Sequence, residues 1–413
     1  MLKRKLFKIT SFKKLLLVAA IFAIGAGFGH LYLKKNTSYV GLSPNKAFIS
    51  EIYDKIKENY WDSISDEDLL KVFSQALGTK ELKTKDQLLP EIKDAKIATT
   101  AAGLVLANLR PAGRSGLYTQ KNEQTLKNIV ENIDPQKDLY KDLGLAKGAS
   151  ESAVSEAYQK KSSELEKKNT SEAKEELKKI AYAKDTLTIK DTKQRYDQKG
   201  VEPTIFSKII SSSVLYVQFK KFSPTSLDEF VKAFEAYQDN SALTSLVFDL
   251  RGNIGGAIDA SAYFLGHFIG KNQYAFDFYK KGGYLPFKTP TDKLPSVTKF
   301  KQVVMLVDNN TQSSAELMAV TFKKYHVGVV LGVPTKGWGT VERVFPLDNQ
   351  INKDEKYSIF LVHSITLRDD NQPIEGRGVE PDINITDSNW QQQLFSYFRN
   401  QQLSDAIKQV IQN

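Results

Sequence analysis

The sequence of 413 residues contains no cysteine and only four histidines. Without cysteine, the chain has no disulfide framework, no thiolate metal site and no lipid-modified cysteine. The histidines are scattered, so the sequence predicts no metal site and no cofactor. A disulfide pattern would have pointed to an oxidising compartment, and its absence leaves the compartment open. The length allows two or three domains, each with its own core.

Acidic residues are missing from the first 35 positions, which hold eight lysines and arginines. The net charge of the whole chain is +10, and it falls to +2 when these eight are set aside. The basic excess therefore belongs to one terminal segment and not to an extended basic surface. The sequence accordingly predicts no nucleic-acid partner.

An uncharged apolar stretch at residues 15–33 interrupts this basic segment. As a helix it would span about 28 Å, close to the ~30 Å hydrocarbon core of a bilayer. Six of the eight cations precede it in residues 1–14, which predicts a single-pass membrane anchor with a cytoplasmic N-terminus and an extracytoplasmic main part. The alternative is a cleaved signal peptide, because small residues occur at positions 23 and 25–27. The apolar run continues beyond them, which favours an uncleaved anchor.

Residues 34–136 show helical periodicity. Ile49, Ile52 and Ile56 recur at helical spacing with charged residues between them. Ser65 and Asp68 form a plausible cap for a second helix, and residues 101–109 form another apolar helix candidate. We expect a helical N-terminal region that serves for packing or for self-association, so that a homo-oligomer could form through these helices.

Residues 137–200 resemble the J-domain of co-chaperones. The resemblance rests on the run DLYKDLGLAKGASESAVSEAYQKK and on the later pieces AYAKDTL and RYDQKG. That family uses a His-Pro-Asp tripeptide to engage its ATP-dependent chaperone, and the corresponding place here holds Glu166, Lys167 and Lys168. The resemblance therefore implies an all-α module that acts as a spacer or contacts peptides, without co-chaperone activity.

From residue 201 onwards, short apolar strands alternate with helices, which predicts an α/β core. The predicted strands cover 214–219, 246–250, 303–307, 327–331 and 359–362, and the predicted helices cover 227–237, 257–269 and 314–325. Three motifs lie on this frame: DLRGNIGG at 249–256, SSAE at 313–316 and GRGVEPDI at 376–383. The first two follow strands, where backbone N–H groups can stabilise developing negative charge.

In this order and spacing, the three motifs resemble those of the C-terminal processing peptidases, also called tail-specific proteases. The resemblance implies a crotonase-like α/β peptidase core over residues 201–413, with a C-terminal helix. The N-terminal lead-in ENYWDSISDEDLL is also similar to that family. Members usually carry a PDZ domain before the core, whereas the J-like segment occupies that place here.

The resemblance also implies a serine and lysine dyad, in which a neutral lysine amine takes the proton of the serine. The nucleophile position maps to Ser313, and the oxyanion hole to the N–H groups of Ser314 and of Gly255 or Gly256. The lysine position, however, holds Trp338, and the position of the supporting glutamine holds Glu342. An indole carries no basic nitrogen, so Trp338 cannot deprotonate the serine.

Three other residues are candidates for a substitute base. Lys336 lies two positions upstream of the lost lysine and would need a rearranged loop to reach Ser313. His326 follows a predicted helix as a surface turn residue, and His363 lies at a strand end. Trp338 itself could instead offer a stacking surface for a bound peptide.

We therefore expect a membrane-anchored relative of the tail-specific serine peptidases that is catalytically impaired and binds polypeptide C-termini or unfolded segments. An active serine peptidase using Ser313 and a substitute base is the alternative. A non-enzymatic assembly platform is a second alternative.

Overall fold

A computed structural model describes residues 39–168, 170–368 and 370–412. The predicted cytoplasmic tail 1–14 and the predicted anchor 15–33 lie outside these residues and remain predictions. Within the three described ranges, every helix is too short or too polar to cross a bilayer.

Four helices open the described chain: α1 (Pro44–Asn59), α2 (Asp66–Leu77), α3 (Lys85–Leu88) and α4 (Ala95–Asn108). Three of them correspond to the helices predicted for the N-terminal region, whereas the short α3 was not predicted. The predicted cap of α2 is confirmed, because the Ser65 hydroxyl oxygen accepts a hydrogen bond from the Asp68 N–H at 3.0 Å. A short strand β1 (Gly116–Thr119) and a helix α5 (Gln120–Glu131) follow. The strand was not expected from the sequence, because its four residues show no apolar alternation.

Residues 137–200, here called the J-like module, contain the helices α6 (Leu139–Asp142), α7 (Glu151–Glu166), α8 (Ser171–Leu187) and α9 (Lys190–Lys199). They enclose their own small core, in which Tyr140, Val154, Ile180 and Leu187 are fully buried. Glu166 ends α7, and Lys167 and Lys168 lie in the turn that leads to α8. The all-α character agrees with the expectation, while the likeness to a J-domain remains a prediction.

The C-terminal part contains two sheets. The main sheet has six strands: β2 (Ile205–Ser211), β3 (Val214–Phe219), β4 (Ser245–Asp249), β7 (Gln302–Val307), β8 (Val329–Gly332) and β11 (Ile383–Asn384). Their order in the sheet is β11-β8-β7-β4-β3-β2, and all neighbouring pairs except β2 with β3 are parallel. The predicted strands at 214–219, 246–250, 303–307 and 327–331 are thereby confirmed to within two residues.

The second sheet is antiparallel, with the order β1-β10-β5-β6 and with β9 paired to β10. Its remaining strands are β5 (Tyr274–Lys280), β6 (Gly283–Lys288), β9 (Thr340–Pro346) and β10 (Tyr357–Thr366). β10 extends well beyond the predicted strand 359–362. The N-terminal helices pack on this sheet, since Phe48, Ile52 and Leu69 share a buried cluster with Ile359 and Leu361.

Helices cover both faces of the main sheet. They are α10 (Ser226–Glu235), α11 (Ser261–Ile269), α12 (Pro295–Thr298), α13 (Ser314–Lys324), α14 (Trp390–Phe398) and α15 (Gln401–Gln412). One face buries a phenylalanine-rich cluster, which includes Phe219, Phe248 and Phe264. The other face buries Val247 and Leu306 against the two C-terminal helices. Because both faces are covered, the parallel strands are continuously apolar.

The J-like module rests on the C-terminal α/β part, residues 201–413, through α10 and β2. Arg195 lies 3.2 Å from Glu229, and Lys232 lies 2.6 Å from Asp191. The ring of Tyr182 packs at 5.4 Å against that of Phe206. The module is therefore in direct contact with the sheet that carries the candidate site.

Candidate active site

Ser313 lies at the turn between β7 and α13, as the sequence predicts. Its backbone has φ 56° and ψ −122°, a conformation that residues with a side chain rarely adopt. Such a geometry costs on the order of 1–3 kcal/mol, and the surrounding structure must hold it in place. The sharp turn brings the serine to the carboxyl edge of the parallel sheet, where sites of open α/β sheets form.

The glycine turn, residues 251–256, follows the neighbouring strand β4 and reaches the serine. A side chain at Gly255 would meet the Ser313 Cβ atom at 2.6 Å, so only glycine permits this approach. Gly256 is equally constrained, because a Cβ atom there would lie 2.1 Å from the Phe222 carbonyl oxygen. The Ser314 hydroxyl group lies 3.3 Å from the Gly256 carbonyl oxygen and connects the two turns.

Two of the three predicted oxyanion donors remain available in this arrangement. The Gly255 N–H donates to the Asn253 side chain at 2.9 Å and is therefore engaged. Among the described residues, the N–H groups of Gly256 and Ser314 have no acceptor. The sequence left Gly255 and Gly256 as alternatives, and the hydrogen bonding favours Gly256. Together with Ser314 at the start of α13, it forms a pair of donors suited to an oxyanion.

Glu316 holds the serine turn and the following loop together. Its side chain is fully buried. One carboxylate oxygen accepts the Ser313 N–H at 2.8 Å and the Trp338 N–H at 2.9 Å. The other accepts the Thr335 hydroxyl at 2.5 Å and the Gly337 N–H at 2.7 Å. Burial raises the pKa of Glu316, and the four hydrogen bonds oppose that rise.

The role of Glu316 as a connecting residue was not predicted from the sequence, where it appears only as the last residue of the SSAE motif. One signal was present, since a serine three residues before a glutamate at a helix start is the pattern of a capping box. The donors from residues 335–338 could not be found this way, because they are distant in sequence.

Trp338 is held from several sides at the position predicted for the lost lysine. Its indole Nε1 donates to the Glu342 carboxylate at 3.2 Å, and the Thr340 hydroxyl donates to the same oxygen at 2.5 Å. The Arg114 guanidinium lies 3.5 Å from the centre of the indole ring. This cation–π contact and the hydrogen bond fix the indole in one orientation.

Arg114 was not among the predicted site residues. It comes from the segment before β1, and it forms an ion pair with Glu375 at 2.8 Å. The second oxygen of Glu375 accepts the Gly339 N–H, also at 2.8 Å. The helical N-terminal region thus contributes one residue directly to the loop that carries Trp338. No local sequence pattern indicates a contact across this distance in the chain.

Lys336 does not meet the requirements of a substitute base. Its side chain is exposed, whereas a lysine base needs burial to lose its proton near neutral pH. Its backbone N–H donates to the Thr311 carbonyl oxygen at 2.9 Å, so the loop is fixed at this residue. His326 is exposed and follows the C-terminal end of α13, whereas Ser313 precedes its N-terminal end.

His363 belongs to β10 of the antiparallel sheet and has partners of its own. Its Nε2 atom lies 2.8 Å from the Lys280 ammonium, and its Nδ1 atom lies 2.9 Å from the Ser364 hydroxyl. Burial, followed by the charges of Arg343 and Lys280, lowers its pKa to about 3. The imidazole is neutral, and its Nε2 lone pair faces a lysine instead of the serine.

The depressed pKa of His363 predicts a pH dependence of stability. The unfolded chain protonates this histidine near its ordinary pKa of 6.5, whereas the folded chain resists protonation down to about pH 3. Its contribution is therefore present above pH 6.5 and is lost as the pH falls towards 3. We expect His363→Gln to flatten the fall of the unfolding free energy between pH 7 and pH 4, measured by urea denaturation. An unchanged slope, equal to that of a variant with His326→Gln, would contradict this assignment.

No group of three or more His, Asp or Glu side chains in the described part of the chain is arranged to hold a metal ion. The chemistry that the site can offer comes from a strained serine, two free N–H donors and the groups around Trp338.

Comparison with known proteins identifies the core. Residues 213–385 match the family described as "Peptidase family S41". Over 381 residues the chain is 24% identical to the carboxy-terminal processing protease CtpA of Bacillus subtilis (strain 168), an alignment that covers 90% of this chain and 76% of that protein. It is 28% identical over 187 residues to CtpB of the same organism, covering 44% of this chain and 36% of CtpB. The predicted resemblance to C-terminal processing peptidases is thereby confirmed.

A solved structure described as the photosystem II D1 C-terminal processing protease superimposes with a TM-score of 0.53 at 14% identity. The superposition covers 83% of this chain and 94% of that one. At this level of identity, the likeness concerns the fold alone.

Proposed function

We propose that this chain, whose residues 213–385 match the family described as "Peptidase family S41", binds polypeptide segments at the Ser313 site and hydrolyses them very slowly or not at all. The observation that carries the proposal is the fixed indole of Trp338. Its backbone N–H shares a carboxylate oxygen with that of Ser313. The backbone of Trp338 therefore lies close to that of Ser313, and the position that the resemblance assigns to the base holds an indole without a basic nitrogen.

Three titratable groups that the structure describes, Glu316, Lys336 and His363, are poorly suited to replace the base. Glu316 touches the backbone of Ser313, but its two oxygens are occupied by four donors. Lys336 is exposed and His363 is paired with Lys280. Loss of one dyad member typically reduces turnover by about 10⁴ to 10⁶-fold, leaving the contribution of binding and of the oxyanion donors.

Binding of a polypeptide is supported by the surface beside the serine. Ile254 lies within the glycine turn, and 43% of its surface is exposed. An exposed apolar side chain next to two free N–H donors offers contacts to both a side chain and a carbonyl group of an extended peptide. These contacts do not need the lost lysine.

The test compares the full-length chain in detergent solution with its Ser313→Ala variant. A fluorescently labelled, reduced and carboxymethylated protein serves as the unfolded polypeptide, and anisotropy and gel analysis report binding and cleavage. We expect the two proteins to bind it equally, within about twofold, and to produce no fragments over several hours. Ser163→Ala, at an exposed serine of α7, is the matched control.

Two outcomes would overturn the proposal. Fragments that form within these hours and disappear in Ser313→Ala would support the alternative function, an active serine peptidase with a substitute base. The strained conformation of Ser313 and the free N–H groups of Gly256 and Ser314 favour that candidate. Absence of any binding would instead support the assembly platform.

A further inference from the structure

A cleft of about 840 Å³ lies between α5, the J-like module and the end of β3. Lys220 and Lys221 line it at the end of β3, and Lys137 and Tyr182 line it from the J-like module. Ile129 of α5 and Ile133, just after α5, complete this part of the lining. None of these residues belongs to the Ser313 site. The cleft therefore needs an explanation of its own.

The charges in the cleft are unbalanced. The carboxylates near its lysines are already paired: Glu202 lies 2.6 Å from Lys137, and Glu175 lies 3.3 Å from Lys178. Lys179 pairs with Asp142 at 2.8 Å, outside the cleft lining. Asp134 also lines the cleft, but its side chain is exposed, and one of its carboxylate oxygens accepts the Gln136 N–H.

Lys220 and Lys221 have no carboxylate partner among the residues that the structure describes. The Lys220 ammonium lies 4.2 Å from the centre of the Tyr182 ring and 4.6 Å from that of Phe206. The Lys221 ammonium donates to the Ile129 carbonyl oxygen at 3.0 Å. Both side chains are half-buried, and burial lowers the pKa of Lys221 and brings that of Lys220 to about 8.

Two partly dehydrated ammonium groups without an ion-pair partner among the described residues form a favourable place for an anion. Apolar surface lies beside them, because the Ile129 side chain is 45% exposed and Ile133 lines the same cleft. An inorganic anion would bind the two ammonium groups but would leave the apolar surface exposed to water. A ligand that joins an anionic group to an apolar residue would use both.

We propose that this cleft binds a carboxylate carried by a polypeptide, with Lys220 and Lys221 on the carboxylate and Ile129 and Ile133 against a neighbouring apolar side chain. The inference rests on the proposed polypeptide-binding function and adds a second contact point to it. A C-terminal carboxylate and the side chain of an aspartate or glutamate are both possible sources. The cleft would hold one part of a polypeptide while another part occupies the Ser313 site.

The experiment uses three labelled peptides of equal length that contain apolar residues. The first has a free C-terminus and no acidic side chain, the second is its C-terminal amide, and the third is that amide with one internal glutamate. Anisotropy gives the affinity of each peptide for the full-length chain. If the peptide with the free C-terminus binds about tenfold more tightly than its amide, the ligand of the cleft is a C-terminal carboxylate. If the glutamate-containing amide binds more tightly than the plain amide, the ligand is the carboxylate of an acidic side chain.

The variant Lys220→Gln/Lys221→Gln keeps most of each stem and removes both charges. We expect it to reduce the affinity of the carboxylate peptide about tenfold or more and to leave the plain amide unchanged. Lys288→Gln, at an exposed lysine on β6, is the matched control and should change neither. An unaltered thermal unfolding midpoint shows that the double variant is folded.

Three outcomes would overturn the inference. Equal binding of all three peptides would remove the role of the carboxylate, and unchanged affinity in the double variant would remove the role of the two lysines. Displacement of the peptide by inorganic phosphate, at a concentration equal to the peptide's own dissociation constant, would reduce the cleft to a general anion site. If Ile254→Ser weakens the peptides while the double variant does not, the proposed function stands and only this inference fails. If no peptide binds, both fail.

Discussion

Trp338→Lys is expected to raise Ser313-dependent hydrolysis of an unfolded polypeptide by at least about 100-fold. The expectation follows from the size of the loss that a missing base causes, about 10⁴ to 10⁶-fold, of which a single substitution recovers a part. The introduced amine would enter a loop whose backbone Glu316 already holds beside the serine. Hydrolysis is measured from the appearance of new amino groups.

The neighbours of position 338 decide how much is recovered. The Arg114 guanidinium, which now lies 3.5 Å from the indole ring, would lower the pKa of the introduced amine and favour its basic form. The Glu342 carboxylate would have the opposite effect, since an anion at hydrogen-bond distance stabilises the ammonium. We therefore expect the double variant Trp338→Lys/Glu342→Gln to be faster than the single one.

Trp338→Met is the matched control, because it removes the indole without supplying a base. If the double variant is no faster than Trp338→Met, position 338 is not where the base belongs. Addition of Ser313→Ala to the double variant should abolish the gained activity, which separates it from a contaminating peptidase.

Glu316→Ala is expected to lower the free energy of unfolding by about 3 kcal/mol or more. The carboxylate is fully buried and accepts four hydrogen bonds, and each donor left without an acceptor costs about 1–3 kcal/mol. Relief from burying a charge offsets part of this cost. Urea denaturation of the full-length chain, analysed by linear extrapolation, provides the measurement.

Two further variants sharpen the Glu316 experiment. Glu316→Gln should be destabilised as well, because its amide would turn N–H groups towards N–H donors. Glu235→Ala, at an exposed glutamate of α10, should change stability by less than about 0.5 kcal/mol. A loss below about 1 kcal/mol in Glu316→Ala would show that the hydrogen bonds around Glu316 are not essential to the fold.

The elements that could be predicted from the sequence are those with a local signature. The strand before Ser313 is a continuous apolar run, the turn after it is polar, and the helix begins with a capping pattern, so the position of the serine follows from neighbouring residues. The same holds for the cap at Ser65. For the J-like module, the resemblance to a J-domain implied an all-α segment, and its four helices agree with that expectation.

Residues that meet across the fold could not be predicted in this way. Arg114 reaches Trp338 only because β1 pairs with β10, and β1 is too short to show a pattern. Strands β5, β6 and β9 were missed because polar and charged residues interrupt them and they lack the continuous apolar run of the parallel strands. No local sequence pattern distinguishes Lys220 and Lys221 from other lysines, and their partial burial beside the J-like module follows from the tertiary structure.

The backbone turn at Ser313 is held by contacts that do not involve the side chain at position 338. Trp338 contributes a backbone N–H to Glu316, and any residue except proline offers the same group. Gly255 and Glu316 fix the serine through contacts that also belong to the buried core. A substitution at position 338 therefore leaves these contacts of the Ser313 turn in place. Selection for stability alone would then maintain the outline of a peptidase site, whether or not hydrolysis continues.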